Sequence, residues 1–265
     1  MEVHLCQLDC VWENRDANLS QVARMAEEAA PPPGSLIVLP ELFAVGFTMN
    51  LDAALEPPDR PTERFLEALA KRWRCFVLAG LATARGQGSD CPRNEALAIG
   101  PDGGVKARYW KNHPFTGGEE HLTYSAGTEL SFFSWAGLTV MPAICYDLRF
   151  PELFRRGLGQ QAGFFVVIAS WPDLREDHWV TLLRARAIEN QAYVAGVNRA
   201  GRDPFFHYPG RSMVVDPHGN IVIDAGPHEN WVRASVDPGA VLEWRKAFPA
   251  VRDYLTKADP PRSFT

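Results

Sequence analysis

The chain has 265 residues, of which 46% are hydrophobic, and its formal net charge is −5, so its size and apolar content allow one domain with a large core. This acidic balance, without a large basic block, excludes a nucleic-acid partner, because binding to phosphates requires a row of cations. Apolar stretches stay below the roughly 18 to 20 residues that span a bilayer, and the amino terminus lacks signal-peptide features, so we expect a cytoplasmic protein without a membrane partner.

Short apolar runs along the chain predict strands, and several are solid rather than alternating, which indicates strands covered on both faces. The predicted strands occupy residues 3–8, 36–39, 76–79, 96–99, 138–144, 164–169, 193–197, 213–215 and 221–223. Helix-like stretches occupy residues 17–30, 62–73, 151–157 and 178–191. Turn sequences at 101–104 and 216–220 separate paired strands, which favours mixed sheets over wholly parallel ones. The pattern predicts an α/β layered domain.

The strand predicted at 36–39 ends at Pro40 and is followed by Glu41, a single carboxylate among apolar neighbours. Poor solvation raises the pKa of such a carboxylate toward the range that is useful to a general base. From this segment alone, a strand-end glutamate without a chemical role is an equally good interpretation.

A lone thiol, Cys145, follows the strand predicted at 138–144 and precedes a turn and the start of a helix. Free N–H groups and the positive end of a helix dipole at such a position predict a lowered thiol pKa. An isolated cysteine is nevertheless more often an inert core residue. Lys111 lies among the aromatic residues of segment 109–115, and by itself a lysine there is more often at the surface.

A carboxylate, a lysine and a cysteine, each at the end of a predicted strand and in that order, resemble the nitrilase superfamily of carbon-nitrogen hydrolases. The resemblance covers nearly the whole chain, with signature segments at 39–41, 109–113 and 145–151 and further matches at 171–172, 182–194 and 198–201. Segment 46–50, Gly-Phe-Thr-Met-Asn, is similar to the omega-amidase branch, which hydrolyses the terminal amide of short 2-oxo dicarboxylic acid monoamides. The resemblance to the superfamily implies a four-layer α-β-β-α sandwich with two mixed sheets, in a single domain spanning 1–265. It also implies that the protein forms a homodimer or a larger homo-oligomer.

The resemblance also implies a mechanism that depends on Cys145 as nucleophile and Glu41 as general base and acid. Lys111, with a backbone N–H near Tyr146, would stabilise the negative oxygen of the tetrahedral intermediate. Tyr146 is in addition expected to contact the substrate. The reaction would proceed through a cysteine thioester and release an acid and ammonia.

Family enzymes use a second glutamate between the lysine and the cysteine, and two candidates stand side by side here, Glu119 and Glu120. In the omega-amidase branch this residue precedes a histidine and lies a fixed short distance before a tyrosine and an Ala-Gly pair, which matches Glu120. By resemblance, Glu120 holds Lys111 and positions water. The chain departs from the branch at Trp110, where an acidic residue is commoner, and at Pro114, where an aliphatic residue is expected; both changes concern the pocket mouth.

Substrate recognition is expected around the nucleophile. Phe47 and Trp171 are predicted to form apolar pocket walls, although a core aromatic is an equally fair interpretation of either one. A 2-oxo dicarboxylic acid monoamide also needs a cation for its distant carboxylate, and Arg149 is the nearest candidate in sequence, with a structural salt bridge as the alternative. The weaker candidates are Arg202 and Arg211.

Disulfide and metal chemistry are not indicated. Five cysteines, an odd number scattered along the chain, do not make a disulfide framework. Cys6 and Cys10 have no matching pair at zinc-site spacing, and the seven histidines form no His-Glu-x-x-His unit. We therefore expect a hydrolase that uses neither a metal nor a cofactor.

Two further hypotheses remain open. Hydrolysis of nitriles or removal of N-carbamoyl groups uses the same Glu, Lys and Cys on the same scaffold. A catalytically silent interaction protein is disfavoured, since burying two carboxylates and a lysine beside a thiol has no other physical purpose.

The last segment of the chain, from about residue 241 to 265, carries aromatic residues among charges and prolines. It is too aromatic for a solvated linker, so we expect it to pack at a subunit interface. The aromatic residues concerned are Trp244, Phe248, Tyr254 and Phe264.

Overall fold

A computed structural model describes residues 1–84 and 91–257. The strands are β1 (Glu2–Gln7), β2 (Leu36–Val38), β3 (Phe76–Thr83), β4 (Arg93–Ile99), β5 (Val105–Trp110), β6 (Phe133–Trp135), β7 (Leu138–Ile144), β8 (Ala162–Ala169), β9 (Tyr193–Asn198), β10 (Ala200–Arg202), β11 (His207–Pro209), β12 (Met213–Val215), β13 (Ile221–Asp224) and β14 (Asn230–Ser235). The α-helices are α1 (Arg15–Ala29), α2 (Leu51–Ala54), α3 (Pro61–Trp73), α4 (Glu120–Thr123), α5 (Pro151–Leu158), α6 (Glu176–Asn190), α7 (Pro238–Ala247) and α8 (Ala250–Lys257). Short 3-10 helices occupy Thr116–Gly118, Cys145–Arg149 and Asp173–Arg175.

The strands form two six-stranded mixed sheets, which confirms the predicted sheet type. The first sheet has the order β14-β1-β2-β3-β4-β5, with β1, β2 and β3 parallel and the outer pairs antiparallel. The second has the order β13-β12-β9-β8-β7-β6, with β7, β8 and β9 parallel. Strands β10 and β11 make a separate two-stranded ribbon. The turns predicted at 101–104 and 216–220 connect antiparallel strands, as expected.

The layers follow from three buried apolar clusters. One cluster draws side chains from both sheets and fills the space between them. A second joins helices α1 and α3 to the outer face of the first sheet, and a third joins α5 and α6 to the outer face of the second sheet. Because the central strands are covered on both faces, they read as solid apolar runs in the sequence. The architecture is the predicted four-layer α-β-β-α sandwich.

The strands without a solid apolar run lie at sheet edges or outside the large sheets. Strand β14 reads Asn-Trp-Val-Arg-Ala-Ser and pairs only with β1, and β6 has three residues at the opposite end of the other sheet. An edge strand with a solvated face keeps polar residues, so its apolar content is too low to stand out in the sequence.

Residues 238–257 contain helices α7 and α8, which are anchored on the chain's own core. Val241 packs in the cluster between the sheets and Val251 in the cluster beneath α5 and α6. The Gln191 side chain donates to the Phe248 carbonyl (2.7 Å) and accepts from the Val251 N–H (3.1 Å). Phe248 itself is 55% exposed, and Phe264 lies outside the described residues.

Within the parts of the chain that the structure describes, every helix is too short or too polar to cross a membrane.

Candidate active site

Strands of both sheets end at one place in the molecule. Glu41 follows β2 and Lys111 follows β5, in the first sheet, whereas Cys145 follows β7 and Ser170 follows β8, in the second. The Ser170 N–H donates to Glu41 Oε2 (2.8 Å), and the Ser170 hydroxyl donates to the Glu41 carbonyl (3.3 Å). The two sheets therefore each contribute part of one polar site.

Three of the sequence-predicted residues form a buried ionic group. Glu41 and Glu120 are fully buried and Lys111 is 2% exposed. Lys111 Nζ donates to Glu41 Oε1 at 2.8 Å and to both carboxylate oxygens of Glu120 at 3.0 and 2.8 Å. Glu120 also accepts from the Phe115 N–H (2.6 Å). The neighbouring Glu119 is exposed and is not part of this group.

Asn94, on β4, links the two carboxylates and was not anticipated from the sequence. Its side-chain nitrogen donates to Glu41 Oε1 (2.7 Å) and to Glu120 Oε1 (2.8 Å), and its main-chain carbonyl accepts from the main-chain N–H of Lys111 (2.9 Å). Asn94 is 1% exposed, and a buried amide must find partners, but its neighbours Arg93 and Glu95 are also polar, so it does not stand out in the sequence. Ser170 was missed as well, and its contact with the Glu41 carboxylate is made by the backbone N–H, which no side-chain pattern reveals.

Cys145 opens a 3-10 helix directly after β7, with its backbone in the left-handed region at φ 47°. A non-glycine residue in this region carries strain, which is typical of functional positions that the surrounding structure fixes. Sγ lies 3.9 Å from the Ser170 carbonyl oxygen, and the side chain remains partly exposed. Cys6, Cys10 and Cys75 are buried away from this site.

The buried Asp147 holds the turn of Cys145 against the strand that leads to Lys111. Its carboxylate accepts from the Ile144 N–H (3.0 Å) on one side and from the Tyr109 hydroxyl (2.7 Å) on the other. It also accepts from the His113 N–H (2.9 Å). One carboxylate thus ties β5 of the first sheet to the end of β7 in the second.

The ionisation of the group is set by burial and by the charges within it. Burial raises the pKa of Glu41 above its usual 4.5, although Lys111 opposes this shift. Burial disfavours the ammonium of Lys111, but Glu120 and Glu41 outweigh that cost and raise its pKa. Lys111 is therefore a cation beside two carboxylates.

The thiol behaves differently from the sequence-based expectation. Burial raises the pKa of Cys145 well above its usual 9.0, and the charge of Glu41 raises it further, while Lys111 acts in the opposite direction. The expectation of a lowered pKa was wrong, because desolvation outweighs the N–H groups at the start of a short helix. The resting residue is a neutral thiol that needs a base for its proton.

A narrow pocket of about 30 Å³ leads to this thiol. All four predicted substrate contacts line it, and so do residues that the sequence did not single out, among them a second arginine. The pocket residues are Phe47, Phe115, Cys145, Tyr146, Arg149, Ser170, Trp171, Pro172, Arg175, Phe206 and Tyr208. The small volume and the aromatic walls favour a slender, unbranched substrate.

Other residues named from the sequence lie away from this pocket. Arg202 is exposed and does not line it. Arg211 does not line it either, and its guanidinium is paired with Asp224 (2.7 Å) and Glu176. The chain departs from the omega-amidase pattern at Trp110 and Pro114, and neither residue lines the pocket, so these departures do not shape its walls. The guanidinium carbon of Arg93 lies 5.0 Å from the ring centroid of Trp110.

The turn that carries Glu41 packs on Gly80 of β3. A Cβ at Gly80 would lie 2.6 Å from the Cα of Glu41 and 2.7 Å from the nitrogen of Leu42, which are backbone atoms that cannot rotate away. We expect Gly80→Ala to lower the free energy of unfolding by about 1–3 kcal/mol, as overpacking does. Urea denaturation measures this change.

Gly104→Ala is the matched control, because a Cβ there would meet only the exposed Asp102 side chain, at 3.3 Å. Its effect should stay within about 0.5 kcal/mol. Equal destabilisation by both substitutions would contradict the packing argument.

Comparisons with known proteins agree with this geometry. The family model described as carbon-nitrogen hydrolase matches residues 2–246. The omega-amidase YafV of Escherichia coli K12 is 37% identical over 255 residues, which cover 96% of each chain. The 2-oxoglutaramate amidase of Bacillus subtilis is 36% identical over 248 residues, 93% of this chain and 95% of that protein.

Solved structures of the same superfamily are similar throughout. A carbon-nitrogen hydrolase superfamily protein of Xanthomonas campestris, with an arsenic adduct in its active site, has a TM-score of 0.89 at 33% identity, over 98% of this chain and 97% of that one. Saccharomyces cerevisiae Nit3, of branch 10 of the nitrilase superfamily, has a TM-score of 0.83 at 28% identity, over 94% of each chain. The chain therefore belongs to the carbon-nitrogen hydrolase family, within the nitrilase superfamily, and is a hydrolase of carbon–nitrogen bonds.

Proposed function

We propose that this protein is an omega-amidase, which hydrolyses the terminal amide of a short dicarboxylic acid monoamide such as 2-oxoglutaramate or 2-oxosuccinamate. The observation that carries the proposal is the Cys145 thiol in a narrow pocket that Arg149 also lines, beside the buried Glu41 and Lys111. The names of the relatives from Escherichia coli and Bacillus subtilis support the same substrate class.

The first step is attack of Cys145 Sγ on the amide carbon. Because the raised pKa keeps the thiol neutral, Glu41 takes the proton as the carbon–sulfur bond forms. The raised pKa of Glu41 makes this carboxylate a better base than an ordinary glutamate and, once protonated, a usable acid.

The negative charge that develops on the amide oxygen needs donors. Lys111 supplies a cation, and the Tyr146 N–H, in the first turn of its 3-10 helix, has no partner within that helix. Glu120 binds the Lys111 ammonium, and Asn94 binds the carboxylates of Glu41 and Glu120. These hydrogen bonds fix the base and the cation relative to each other, so that both can act on the same substrate amide.

Collapse of the tetrahedral intermediate breaks the carbon–nitrogen bond. Glu41 returns its proton to the leaving nitrogen, ammonia departs, and the acyl group stays on Sγ as a thioester. Glu41 then accepts a proton from water that Glu120 helps to position, and the hydroxyl adds to the thioester carbon. The carbon–sulfur bond breaks, the thiol regains its proton, and the free acid is released.

A substrate panel tests the proposal directly. Ammonia release from 2-oxoglutaramate, 2-oxosuccinamate, glutamine, a simple nitrile and an N-carbamoyl amino acid should be fastest with the two 2-oxo amides. Turnover of only the nitrile or the N-carbamoyl compound would replace this proposal with one of those activities. No ammonia release from any compound of the panel would favour the hypothesis of a catalytically silent interaction protein.

The role of Asn94 predicts a change in the pH profile. Activity should rise with pH as Glu41 loses its proton, with the midpoint above pH 4.5 because burial raises that pKa. The Asn94 hydrogen bond lowers the Glu41 pKa, so Asn94→Leu should move the acid limb of kcat/KM to higher pH and reduce its plateau.

The profile of kcat/KM between pH 4 and 9 measures this shift. Asn112→Leu offers a comparison, since its side-chain amide donates to the backbone carbonyls of Trp110 (2.9 Å) and Glu129 (3.2 Å) and not to a carboxylate within the described residues. A reduced rate at an unshifted pH midpoint in Asn94→Leu would show a purely structural role.

The proposal extends to organisation and location. We propose one catalytic domain whose aromatic tail, from residue 241 onward, packs at the interface of a homodimer or larger assembly; exposed Leu242 and Phe248 support this. Light scattering should give a mass at least twice that of one chain. A cytoplasmic location is supported by Cys6, Cys10, Cys75 and Cys145, which form no disulfide within residues 1–84 and 91–257, because disulfides are rare in reducing compartments.

A further inference from the structure

The strongest feature that the proposed reaction does not use is Arg175, a second cation in the pocket. It closes the 3-10 helix Asp173–Arg175, which follows the end of β8. Arg175 and Arg149 line the same pocket as Cys145. The Arg175 guanidinium carbon lies 5.7 Å from the ring centroid of Phe115, another pocket residue.

Trp171 positions both arginines. The Arg149 guanidinium carbon lies 4.7 Å above the Trp171 ring centroid, and the Trp171 indole N–H donates to the Arg175 carbonyl (2.7 Å). Trp171 is 2% exposed and is therefore fixed in the core. A guanidinium stacked on an aromatic ring keeps its N–H edge free for a ligand.

Neither guanidinium is neutralised. Within residues 1–84 and 91–257, neither Arg149 nor Arg175 takes part in any ion pair; the Arg149 guanidinium donates to His178 Nδ1 at 3.2 and 3.3 Å, an acceptor without negative charge. The acidic neighbours of Arg175 have other partners, because Asp173 contacts His207 (2.9 Å) and Glu176 contacts Arg211.

Some other arginines of low exposure are paired with carboxylates, whereas Arg15 and Arg245 donate to backbone carbonyls. Arg108 contacts Glu63 at 2.8 Å, and Arg186 contacts Glu189 at 2.9 Å. Arg149 and Arg175, by contrast, line one pocket as two cations; burial lowers the pKa of Arg149, and the charge of Arg175 lowers it further. A carboxylate between them would relieve this repulsion and accept two charge-assisted hydrogen bonds.

We propose that Arg175 and Arg149 together bind the carboxylate of the substrate at the end opposite the amide, and that Arg175 thereby selects amides of anionic acids over neutral amides. This rests on the proposed omega-amidase function. The chemistry recognised is an unbranched acid with an amide at one end and a carboxylate at the other, which matches a small pocket lined by one thiol and two cations.

The test compares two amides of equal length. 2-Oxoglutaramate carries the carboxylate, and 4-oxopentanamide has a methyl group in its place. The ratio of kcat/KM for the first amide to that for the second should be large in the wild type and should fall about 10- to 100-fold in Arg175→Gln, mainly through KM. Arg175→Lys should recover part of the ratio, because it keeps the charge without the planar fork.

The exposed Arg202 provides a matched control, since Arg202→Gln removes the same charge outside the pocket and should leave the ratio unchanged. An unaltered ratio in Arg175→Gln, or an equal loss on both amides, would overturn the inference. Thermal unfolding of each variant shows whether a lost ratio comes from a folded protein.

A binding measurement separates this inference from the proposed activity. In a Cys145→Ala background, calorimetry with 2-oxoglutarate should give a Kd that rises at least about 10-fold on adding Arg175→Gln. A wild type that hydrolyses neither amide would refute the omega-amidase proposal, whereas equal binding of 2-oxoglutarate with and without Arg175 would refute only the role of Arg175.

Discussion

Cys145→Ala is expected to abolish ammonia release from every amide that the wild type hydrolyses. Loss of a catalytic nucleophile costs roughly 10,000- to 1,000,000-fold in rate, because no neighbouring group replaces the covalent step. Here Cys6, Cys10 and Cys75 are buried elsewhere and no other thiol lines the pocket within the described residues. A continuous ammonia assay measures the loss, and mass spectrometry of quenched wild-type protein should detect the acyl group on Cys145.

The substitution removes one sulfur atom from a partly exposed side chain, so the unfolding temperature should change little. Cys91→Ala is the matched control: Cys91 is also partly exposed and does not line the pocket, and its variant should retain activity. Residual turnover above about one per cent in Cys145→Ala would place the nucleophile elsewhere, since that exceeds what binding alone provides.

Lys111→Met should reduce both activity and stability. Removal of an oxyanion donor costs about 100- to 1,000-fold in rate. Glu41 and Glu120 would also remain buried without their cation, and an uncompensated buried charge costs about 3–5 kcal/mol. Ammonia release and urea denaturation measure the two effects on the same preparation.

The stability loss should depend on pH with a definite sign. Without Lys111, the pKa of the buried Glu41 rises further above its unfolded value of about 4.5, because the lysine charge lowers it in the wild type. A carboxyl whose folded pKa is raised destabilises the native state above its unfolded pKa, and the penalty disappears as it becomes protonated. The difference between variant and wild type should therefore be large at pH 7 and small near pH 4.

Two further variants separate chemistry from stability. Lys111→Met combined with Glu120→Gln removes one uncompensated charge and should recover part of the free energy of unfolding without recovering activity. Lys106→Met should change stability by about 0.5 kcal/mol or less, because Lys106 is exposed on β5 and forms a surface ion pair with Asp102. An equal loss of stability at pH 4 and pH 7 in Lys111→Met would contradict the ionic interpretation.

Much of the fold could be predicted because burial leaves a clear mark on the sequence. Strands covered on both faces, such as β7 and β8, contain little but apolar residues, so their positions were evident. The positions of Glu41 and Cys145 at strand ends were evident for the same reason, since each one follows such a run, whereas Lys111 follows the edge strand β5, which contains two charged residues. Edge strands such as β14 carry no comparable signal.

The rest of the site depends on three-dimensional packing that a sequence does not record. Asn94 reaches both carboxylates only because β4 lies beside β5, and Arg175 enters the pocket only through the turn that follows β8. The predicted direction of the Cys145 pKa shift was wrong, because the number of protein atoms around a thiol cannot be read from its neighbours in the chain. Desolvation is a property of the assembled fold.

The division of the site between two sheets makes catalysis a reporter of how those sheets are joined. The base and the cation belong to one sheet, and the nucleophile to the other, with Asp147 and Ser170 supplying polar links between them. The two sheets could separate while each one keeps its own hydrogen bonds. Such a partly unfolded molecule would retain its far-UV circular dichroism signal and lose its catalytic activity. Inactivation can therefore precede the loss of secondary structure on heating, and turnover would detect the first opening of the sandwich.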